Sequence, residues 1–183
     1  MSQTESIHIK AVDENDAEFL NSLMNHPSVL KALNEISTEK QDWMDAIKEW
    51  SCDDDEEDFI VMNGNTPIGW LGINGLLNED RTVYLKMAVL LPDFQSRGFG
   101  TAAIQKLMLI LRQEGIHRIS LYTDQDNCIA QACYSKCGFR IVDSVTETMS
   151  NGRVVPRYKM ETILKQSGDG SLIDKTIREP SPD

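Results

Sequence analysis

Two stretches of the chain carry residue types whose spacing could do chemistry. The first covers residues 95–101, QSRGFGT, between an apolar strand pattern and an apolar helix pattern. Glycines at the start of a helix let a ligand approach the backbone without hindrance from a Cβ atom. The first N–H groups of a helix have no partner within it, and the helix dipole adds partial positive charge. The stretch therefore predicts an anion site suited to a pyrophosphate, with a plain helix N-terminus as the alternative.

The second stretch covers residues 127–139, NCIAQACYSKCGF, and begins directly after a strand pattern. Ala130 and Tyr134 are spaced i, i+4 and so share a helix face, while Ile129 and Cys133 are expected to form the neighbouring, core-directed stripe. Tyr134 is thus expected beside the buried face, where its hydroxyl could reach a cleft. The alternative is a rim tyrosine that packs its ring and hydrogen-bonds water.

Together the two stretches resemble the signatures of the GNAT superfamily of acetyl-CoA-dependent N-acetyltransferases. Its pattern Arg/Gln-x-x-Gly-x-Gly/Ala is matched by Gln95, Gly98 and Gly100. Its pattern Asn-x-x-Ala-x-x-x-Tyr-x-Lys-x-Gly-Phe is matched at every position, by Asn127, Ala130, Tyr134, Lys136, Gly138 and Phe139. The resemblance extends over about residues 6–164.

The resemblance implies acetyl-CoA as the co-substrate, bound where two neighbouring parallel strands splay apart. A bulge in the strand before the glycine-rich loop would free amides near Val89 and Leu90 for the pantetheine arm and the thioester oxygen. Asn127 would contact the arm, and Tyr134, a phenol with a pKa of about 10, would protonate the departing thiolate. The pyrophosphate would lie on the backbone of Ser96, Arg97, Gly98, Phe99, Gly100 and Thr101.

The general base departs from what the resemblance implies. Some relatives carry a carboxylate on one of the two splayed strands, but the matching positions hold Tyr84 and Tyr122. These tyrosines and Glu35 are assigned to the acceptor side. Bulk solvent could take the proton, or a water chain could lead it to a carboxylate among Glu35, Glu79, Asp80 and Asp124.

The acceptor amine stays open between three classes. Residues 26–33, HPSVLKAL, resemble a segment of the branch that holds ribosomal-protein N-terminal and spermidine acetyltransferases. This implies a polyamine, a protein N-terminus or lysine, or another small amine. The absence of a carboxylate base leaves a different class as the alternative, a non-catalytic acetyl-CoA-binding sensor or interaction module.

Hydrophobic periodicity predicts the elements that must position these residues. Strands are expected over residues 7–12, 59–62, 67–73, 82–91, 117–123, 139–145 and 153–163. Helices are expected over residues 15–25, 37–50, 98–114 and 127–136, with a short helical turn at 28–34. Ser37 and Thr38 are the expected caps of the second helix, and the acidic run 53–58 is expected in a solvated loop outside the core. The predicted class is α+β, the α/β/α GNAT fold with a mixed, mostly antiparallel sheet.

Composition limits the function further. The charge sum is 18 − 29 = −11, which disfavours nucleic acid and anionic membranes as partners. Four cysteines in neither disulfide nor metal spacing, with no signal peptide visible, predict a cytoplasmic protein without a metal site. We expect one acetyltransferase domain over residues 1–164. The polar tail over residues 165–183 carries Leu172, Ile173 and Ile177 as possible docking groups on a neighbour, which is compatible with a homodimer or larger homo-oligomer.

Overall fold

The computed structural model describes residues 6–33, 35–149 and 152–165, and within these ranges seven strands form one sheet. The strands are β1 (Ile7–Ala11), β2 (Glu56–Asn63), β3 (Thr66–Asn74), β4 (Thr82–Leu90), β5 (Arg118–Asp124), β6 (Arg140–Thr148) and β7 (Val154–Ile163). Their order is β1-β2-β3-β4-β5-β7-β6, and the described neighbours are antiparallel except for the parallel pair β4–β5. The predicted mixed, mostly antiparallel sheet is confirmed.

Helices cover both faces of this sheet. They are α1 (Ala17–Met24), α2 (Pro27–Leu33), α3 (Lys40–Trp50), α4 (Phe99–Gln113) and α5 (Cys128–Lys136) in the described part of the chain. Helices α1 to α3 enclose one apolar core with Ile60 and Trp70, whereas α4 and α5 enclose the other with Ile73 and Leu121. The expected helical turn at residues 28–34 is the full helix α2, so three helices rather than two separate β1 from β2.

The start of α3 differs from the prediction. Glu39, not Ser37 or Thr38, is the capping residue, and it forms a capping box with Asp42, whose carboxylate accepts from the Glu39 N–H at 2.8 Å. The Thr38 hydroxyl instead accepts a hydrogen bond from Trp43 Nε1 at 2.8 Å. Thr38 therefore helps to position the Trp43 indole, and the spacing of the local sequence does not predict this role.

The acidic run at residues 53–58 was expected outside the core, and that prediction is wrong for its last three residues. Residues 56–58 open β2, and Asp58 is only 5% exposed. Its carboxylate accepts from Trp70 Nε1 at 2.6 Å and lies 3.1 Å from Lys86 Nζ, which also pairs with Glu56. A buried carboxylate is tolerated here because an indole and an ammonium group satisfy it.

Strands β4 and β5 part after a short parallel contact, and this creates the gap at which the site residues meet. The described pairing joins only Thr82–Tyr84 to residues 118–120. Just beyond, the pairing of β4 with β3 shifts by one residue at Lys86, the mark of a β-bulge. The predicted splaying of two parallel strands is thus present, and the bulge lies three residues before Val89.

Some expectations fall outside the described residues. The polar tail and its docking on a neighbour concern residues 165–183, of which only Lys165 is described. Gly152 lies between β6 and β7 with a φ of +80°, and residues 150 and 151 before it are outside the described ranges. No helix in the described ranges is both long and apolar enough to cross a membrane.

Candidate active site

The glycine-rich loop adopts left-handed backbone conformations just before α4. Ser96 has a φ of +57° and Gly98 a φ of +87°. Glycine reaches this region without steric cost, so Gly98 allows the sharp entry into the helix. The Gln95 side chain donates to the Leu90 C=O at 2.8 Å and ties the loop to the end of β4.

The first turn of α4 offers unpaired backbone donors. The helical bonding begins when the Ala102 N–H donates to the Gly98 C=O at 3.0 Å. The N–H groups of Phe99, Gly100 and Thr101 precede that bond and have no acceptor within the helix. No side chain caps the helix at Gly98. This arrangement fits a phosphate group, because the donors point outward and the helix dipole adds positive charge.

The Phe99 and Arg97 side chains of this loop have contacts that are separate from its backbone donors. Phe99 is 1% exposed as a whole residue, so its ring belongs to the core and does not line a ligand surface. The guanidinium of Arg97 lies 5.3 Å from the Phe99 ring centroid and donates to the Asp93 C=O at 3.0 Å. Arg97 is exposed and adds local positive charge beside the loop.

The amides at the end of β4 face two directions. The Leu91 N–H donates to the Ile68 C=O of β3 at 2.8 Å. Because antiparallel partners alternate between the two sides of a strand, Val89 also turns its N–H to β3. The N–H groups of Leu90 and Ala88 then point to the opposite side, where the described pairing with β5 has ended. The free amide expected near Val89 and Leu90 is therefore that of Leu90, and Ala88 adds a second that the sequence did not indicate.

Helix α5 begins beside the same gap. The Asn127 side-chain oxygen accepts from the Ala130 N–H at 3.1 Å and so caps α5. The buried face of α5 differs from the prediction, because Tyr134 is 9% exposed and Ile129 is 63% exposed. Positions 130, 133, 134 and 137 face α4 and the sheet, a stripe with the i, i+3, i+4, i+7 spacing of one helix face.

Tyr134 reaches from α5 toward the gap. Its ring lies 5.7 Å from that of Phe139, and burial raises the pKa of its hydroxyl. Smaller effects on this pKa come from Cys133, Tyr84 and Arg157, so the hydroxyl lies within electrostatic reach of Tyr84 on β4 and of the Arg157 side chain, which comes from β7. A buried phenol stays protonated, as a proton donor must.

The two tyrosines assigned to the acceptor side do meet. The Tyr84 and Tyr122 rings lie 5.9 Å apart, edge to face, at the end of the parallel pairing. Burial raises the pKa of Tyr84, and Arg157 opposes the increase. The guanidinium of Arg157, which the sequence reading missed, lies 5.8 Å from the Tyr122 ring centroid.

Arg157 joins three strands under this tyrosine pair. Its Nη2 donates to the Tyr122 C=O at 3.1 Å, and its Nη1 donates to Glu147 at 2.6 Å. Its Nε lies 3.1 Å from the Asp124 carboxylate, an ion pair without hydrogen-bond alignment. The alternation of charged residues along β7 marks a polar face, but only the sheet brings Arg157 beneath Tyr122.

The four carboxylates named as candidate bases lie in different surroundings. Asp124 is held by Arg157. Asp80 accepts from the Thr82 N–H at 3.1 Å in the exposed turn before β4, and Glu79 is its exposed neighbour. Glu35 lies exposed just after α2. None of these four carboxylates is therefore placed to act as a direct base at the gap between β4 and β5.

Two cysteines lie directly behind the first turn of α4. The Cys133 Sγ is 3.5 Å from the Thr101 hydroxyl, and Cys137 Sγ donates to the Thr101 C=O at 3.7 Å. The neighbouring Cys137 thiol, the Thr101 hydroxyl and the Lys136 charge lower the pKa of Cys133, although burial opposes them. Within the described residues no group of His, Cys, Asp and Glu gathers as metal ligands do.

These features define an acyltransferase of the class in which a helix N-terminus and two parted parallel strands hold an acetyl thioester. Residues 22–139 match the Acetyltransferase (GNAT) family. The chain belongs to this family of acetyl-CoA-dependent N-acetyltransferases, and the expectation drawn from the two signatures is confirmed.

Known proteins resemble the chain in sequence and in fold. An uncharacterized N-acetyltransferase, YfmK of Bacillus subtilis (strain 168), is 29% identical over 115 residues, 61% of this chain and 75% of that protein. The crystal structure of a Vibrio cholerae spermidine N-acetyltransferase in complex with CoA and spermine superposes with a TM-score of 0.79. It is 20% identical and covers 87% of this chain and 96% of its own.

A further structure of that Vibrio cholerae enzyme, described as dodecameric and in an intermediate state, superposes with a TM-score of 0.74. It is 19% identical and covers 87% of this chain and 94% of its own. At these identities the likeness establishes a shared fold.

Proposed function

We propose that this chain transfers the acetyl group of acetyl-CoA to a primary amine by direct attack, with Tyr134 as the general acid. The parting of β4 and β5 after a short parallel contact carries the proposal, because the Leu90 N–H turns away from β3 just beyond it and the Tyr134 hydroxyl lies within electrostatic reach of Tyr84 at its end. The unpaired first turn of α4 supports it. The six backbone positions 96–101 hold the diphosphate, and Asn127 contacts the pantetheine arm.

The chain's groups divide the chemistry between them. The neutral amine attacks the thioester carbonyl carbon, a C–N bond forms, and the C–S bond breaks. The Leu90 N–H donates to the carbonyl oxygen as it gains negative charge. Tyr134 gives its proton to the departing sulfur and regains one from water, while the proton lost by the amine leaves to solvent.

The acceptor in this proposal is a cationic amine, with a polyamine as the first candidate. The aromatic pair of Tyr84 and Tyr122 offers faces to an ammonium group. Two carboxylates, Asp124 and Glu147, surround the single guanidinium of Arg157, which leaves that cluster with one net negative charge. The fold shared with a spermine-bound spermidine acetyltransferase supports this choice. A protein N-terminus or lysine, or another small amine, are the competing acceptors.

A turnover screen tests the proposal. Release of the CoA thiol from acetyl-CoA is measured with polyamines, amino acids, aminoglycosides and N-terminal peptides at equal concentration. We expect spermidine or spermine to give the highest kcat/KM. A neutral peptide that exceeds them would contradict the polyamine assignment, and acetyl-CoA binding without thiol release for any amine would contradict catalysis.

The cell compartment and the assembly belong to the same proposal. We assign the chain to the cytoplasm because all four cysteines, each within the described residues, are free thiols. A homo-oligomer is compatible with the dodecameric state of the similar Vibrio cholerae enzyme. Light scattering of the purified chain measures its mass, and a monomer at micromolar concentration would contradict the assembly.

A further inference from the structure

We propose that the tail segment of this chain, residues 166–183, docks through its apolar side chains into a groove on its own domain, between α4 and the edge of the sheet. The groove begins at Gln105, about 10 Å along α4 from Gly98. It is therefore separate from the glycine-rich loop, and the inference goes beyond the proposed function without depending on it.

The groove is formed by the exposed side of α4 and the last two strands of the sheet, and it has a volume of about 890 Å³. On α4 it is lined by positions 105, 108, 109 and 112, which have the i, i+3, i+4, i+7 spacing of one helix face. Leu109 is 42% exposed, and in the same groove Val142 of β6 and Ile163 of β7 are 53% and 61% exposed. Exposed aliphatic side chains gathered in one groove of this volume favour an apolar occupant.

Strand β6, which contributes to the groove, lies at the end of the described sheet. Eight of its nine residues are exposed, and Ile141 and Val142 are each more than half exposed. An exposed edge strand with apolar side chains can associate with other chains, and proteins commonly cover such an edge with a loop or helix. A further segment of the same chain would provide this cover.

The charges that line the groove are opposite in sign to those of the tail segment. Arg112, Arg118, Arg140 and Lys165 line it together with one carboxylate, that of Glu161, so the groove carries three net positive charges. The chain as a whole carries a net charge of −11. Residues 166–183 hold four carboxylates and two basic side chains, which gives two net negative charges. The groove therefore matches an acidic segment that also carries apolar side chains.

The tail segment follows directly on a residue of the groove. Leu164 is 5% exposed, and Lys165 after it lines the groove. Leu172 and Ile173 follow within eight residues, and seven extended residues span at most about 25 Å. Because Lys165 tethers the segment beside the groove, its local concentration there is on the order of millimolar. The tail of a second copy at micromolar concentration competes poorly with it, so we assign the groove to the chain's own tail.

Photo-crosslinking in the full chain tests which segment occupies the groove. p-Benzoylphenylalanine is placed at position 173, and the irradiated product is analysed by denaturing electrophoresis and peptide mass mapping. We expect a product of monomer mass in which position 173 is joined to residues 105–112, to Val142 or to Ile163. A product of doubled mass would show a neighbour's tail in the groove and overturn the assignment. Crosslinks outside the groove, or none at all, would overturn the docking itself.

Tryptic cleavage after Lys175 measures how firmly the tail segment is held. A free peptide of residues 166–183 in the same tube is the standard for an undocked segment. We expect cleavage in the chain to be at least about tenfold slower, because a docked segment must open before the protease can cut it. Leu109→Asp places a carboxylate in the groove and should return the rate to within about twofold of the peptide. Leu77→Asp is the matched control, because Leu77 is 69% exposed and is not a groove residue.

A variant of the tail segment tests the same contact without a change in the folded domain. Leu172→Ser combined with Ile177→Ser removes two apolar side chains, and a peptide with the same substitutions is its standard. We expect the protection of Lys175 to be lost in this variant and in Leu109→Asp, and to be kept in Leu77→Asp. Cleavage of the original chain at the rate of its peptide would overturn the inference, as would protection that persists in the tail variant.

Discussion

The two sides of the gap between β4 and β5 present different kinds of chemical group. On the side that we propose for the cofactor (the cofactor side), the groups are mostly backbone donors, and they come from six consecutive residues, 96–101. On the side that we propose for the acceptor (the acceptor side), the groups are side chains. They are Tyr84, Tyr122, Glu147 and Arg157, from four different strands. The cofactor side is set by local conformation, whereas the acceptor side exists only once the sheet has formed.

This difference explains how one scaffold can keep its acetyl donor while its acceptor changes. A backbone site depends on where glycine permits a turn, and most side-chain substitutions leave it intact. A side-chain site changes with each residue that faces the gap. Substitutions on the two sides should therefore have separate effects on acetyl-CoA binding and on use of the amine.

Tyr134 lies between the two sides, and Tyr134→Phe removes only its hydroxyl. We expect kcat to fall about 1,000-fold, since general acid catalysis contributes roughly 10²–10⁴-fold. The Kd for acetyl-CoA should stay within about twofold, as measured by calorimetry. Tyr158→Phe, a partly buried tyrosine of β7, is the control. A full kcat in Tyr134→Phe across pH would show that the acid role is wrong.

Lys86 holds the bulge of β4, where the two sides separate. Lys86→Met leaves the Asp58 carboxylate buried without its counter-charge, which costs about 3 kcal/mol of unfolding free energy. Burial already raises the pKa of Asp58 to about 7, so this group is costly to keep charged. Urea unfolding measures the loss.

Two comparisons show whether the buried charge causes that loss. Adding Asp58→Asn to Lys86→Met should recover most of the stability. Lys159→Met, which breaks the more exposed pair with Glu161, should cost less than about 1 kcal/mol. Equal losses in the two lysine variants would contradict the buried-charge explanation.

The cofactor side is broken by Gly98→Val. The substitution adds a branched side chain at a φ of +87° beside the unpaired donors of α4. We expect the Kd for acetyl-CoA to rise about 50-fold, or about 2.3 kcal/mol. Gly115→Val is a matched control, because Gly115 follows the other end of α4 with a φ of +80° and nothing near its Cβ position. Unchanged affinity in Gly98→Val, measured by calorimetry, would exclude this loop as the diphosphate site.

The acceptor side is broken by Arg157→Met. Loss of the guanidinium frees Tyr122 and leaves Asp124 and Glu147 without their partner. We expect the KM for the amine to change about tenfold, a difference of about 1.4 kcal/mol, with the Kd for acetyl-CoA unchanged. Steady-state kinetics with the best amine measure it, and Lys159→Met on the same strand is the control. If the acetyl-CoA affinity fell instead, the two sides would not be separate.

The smallest expected effect concerns the pH profile of the unsubstituted enzyme, in which kcat/KM should not decline at alkaline pH. Burial raises the pKa of Tyr134, so its proton is retained while the acceptor ammonium loses its own as pH rises. We expect kcat/KM to rise up to pH 10 without a descending limb. A decline that begins near pH 9, in protein shown by circular dichroism to be folded, would contradict Tyr134 as the acid.

Most of the fold follows from local patterns. The strands predicted over residues 59–62 and 67–73 form the pair β2–β3, and Gly64 lies in the turn between them with a φ of +57°. The burial of Tyr134 in place of Ile129 could not be predicted from hydrophobicity, because α5 rotates to pack its small residues against α4. A stripe of small residues permits close packing, and isoleucine is left outside.

The sequence by itself determined the cofactor side, namely the glycines, the unpaired N–H groups and the Asn127 cap, because hydrogen bonds between neighbours along the chain create them. Only the tertiary structure decided that Asp58 is buried, that Arg157 lies under Tyr122 and that Cys133 touches the first turn of α4. Each of these depends on a partner at least 28 positions away, as for Asp58 and Lys86. The burial of a charge and the pKa of a buried group depend on such partners, and no local spacing contains them.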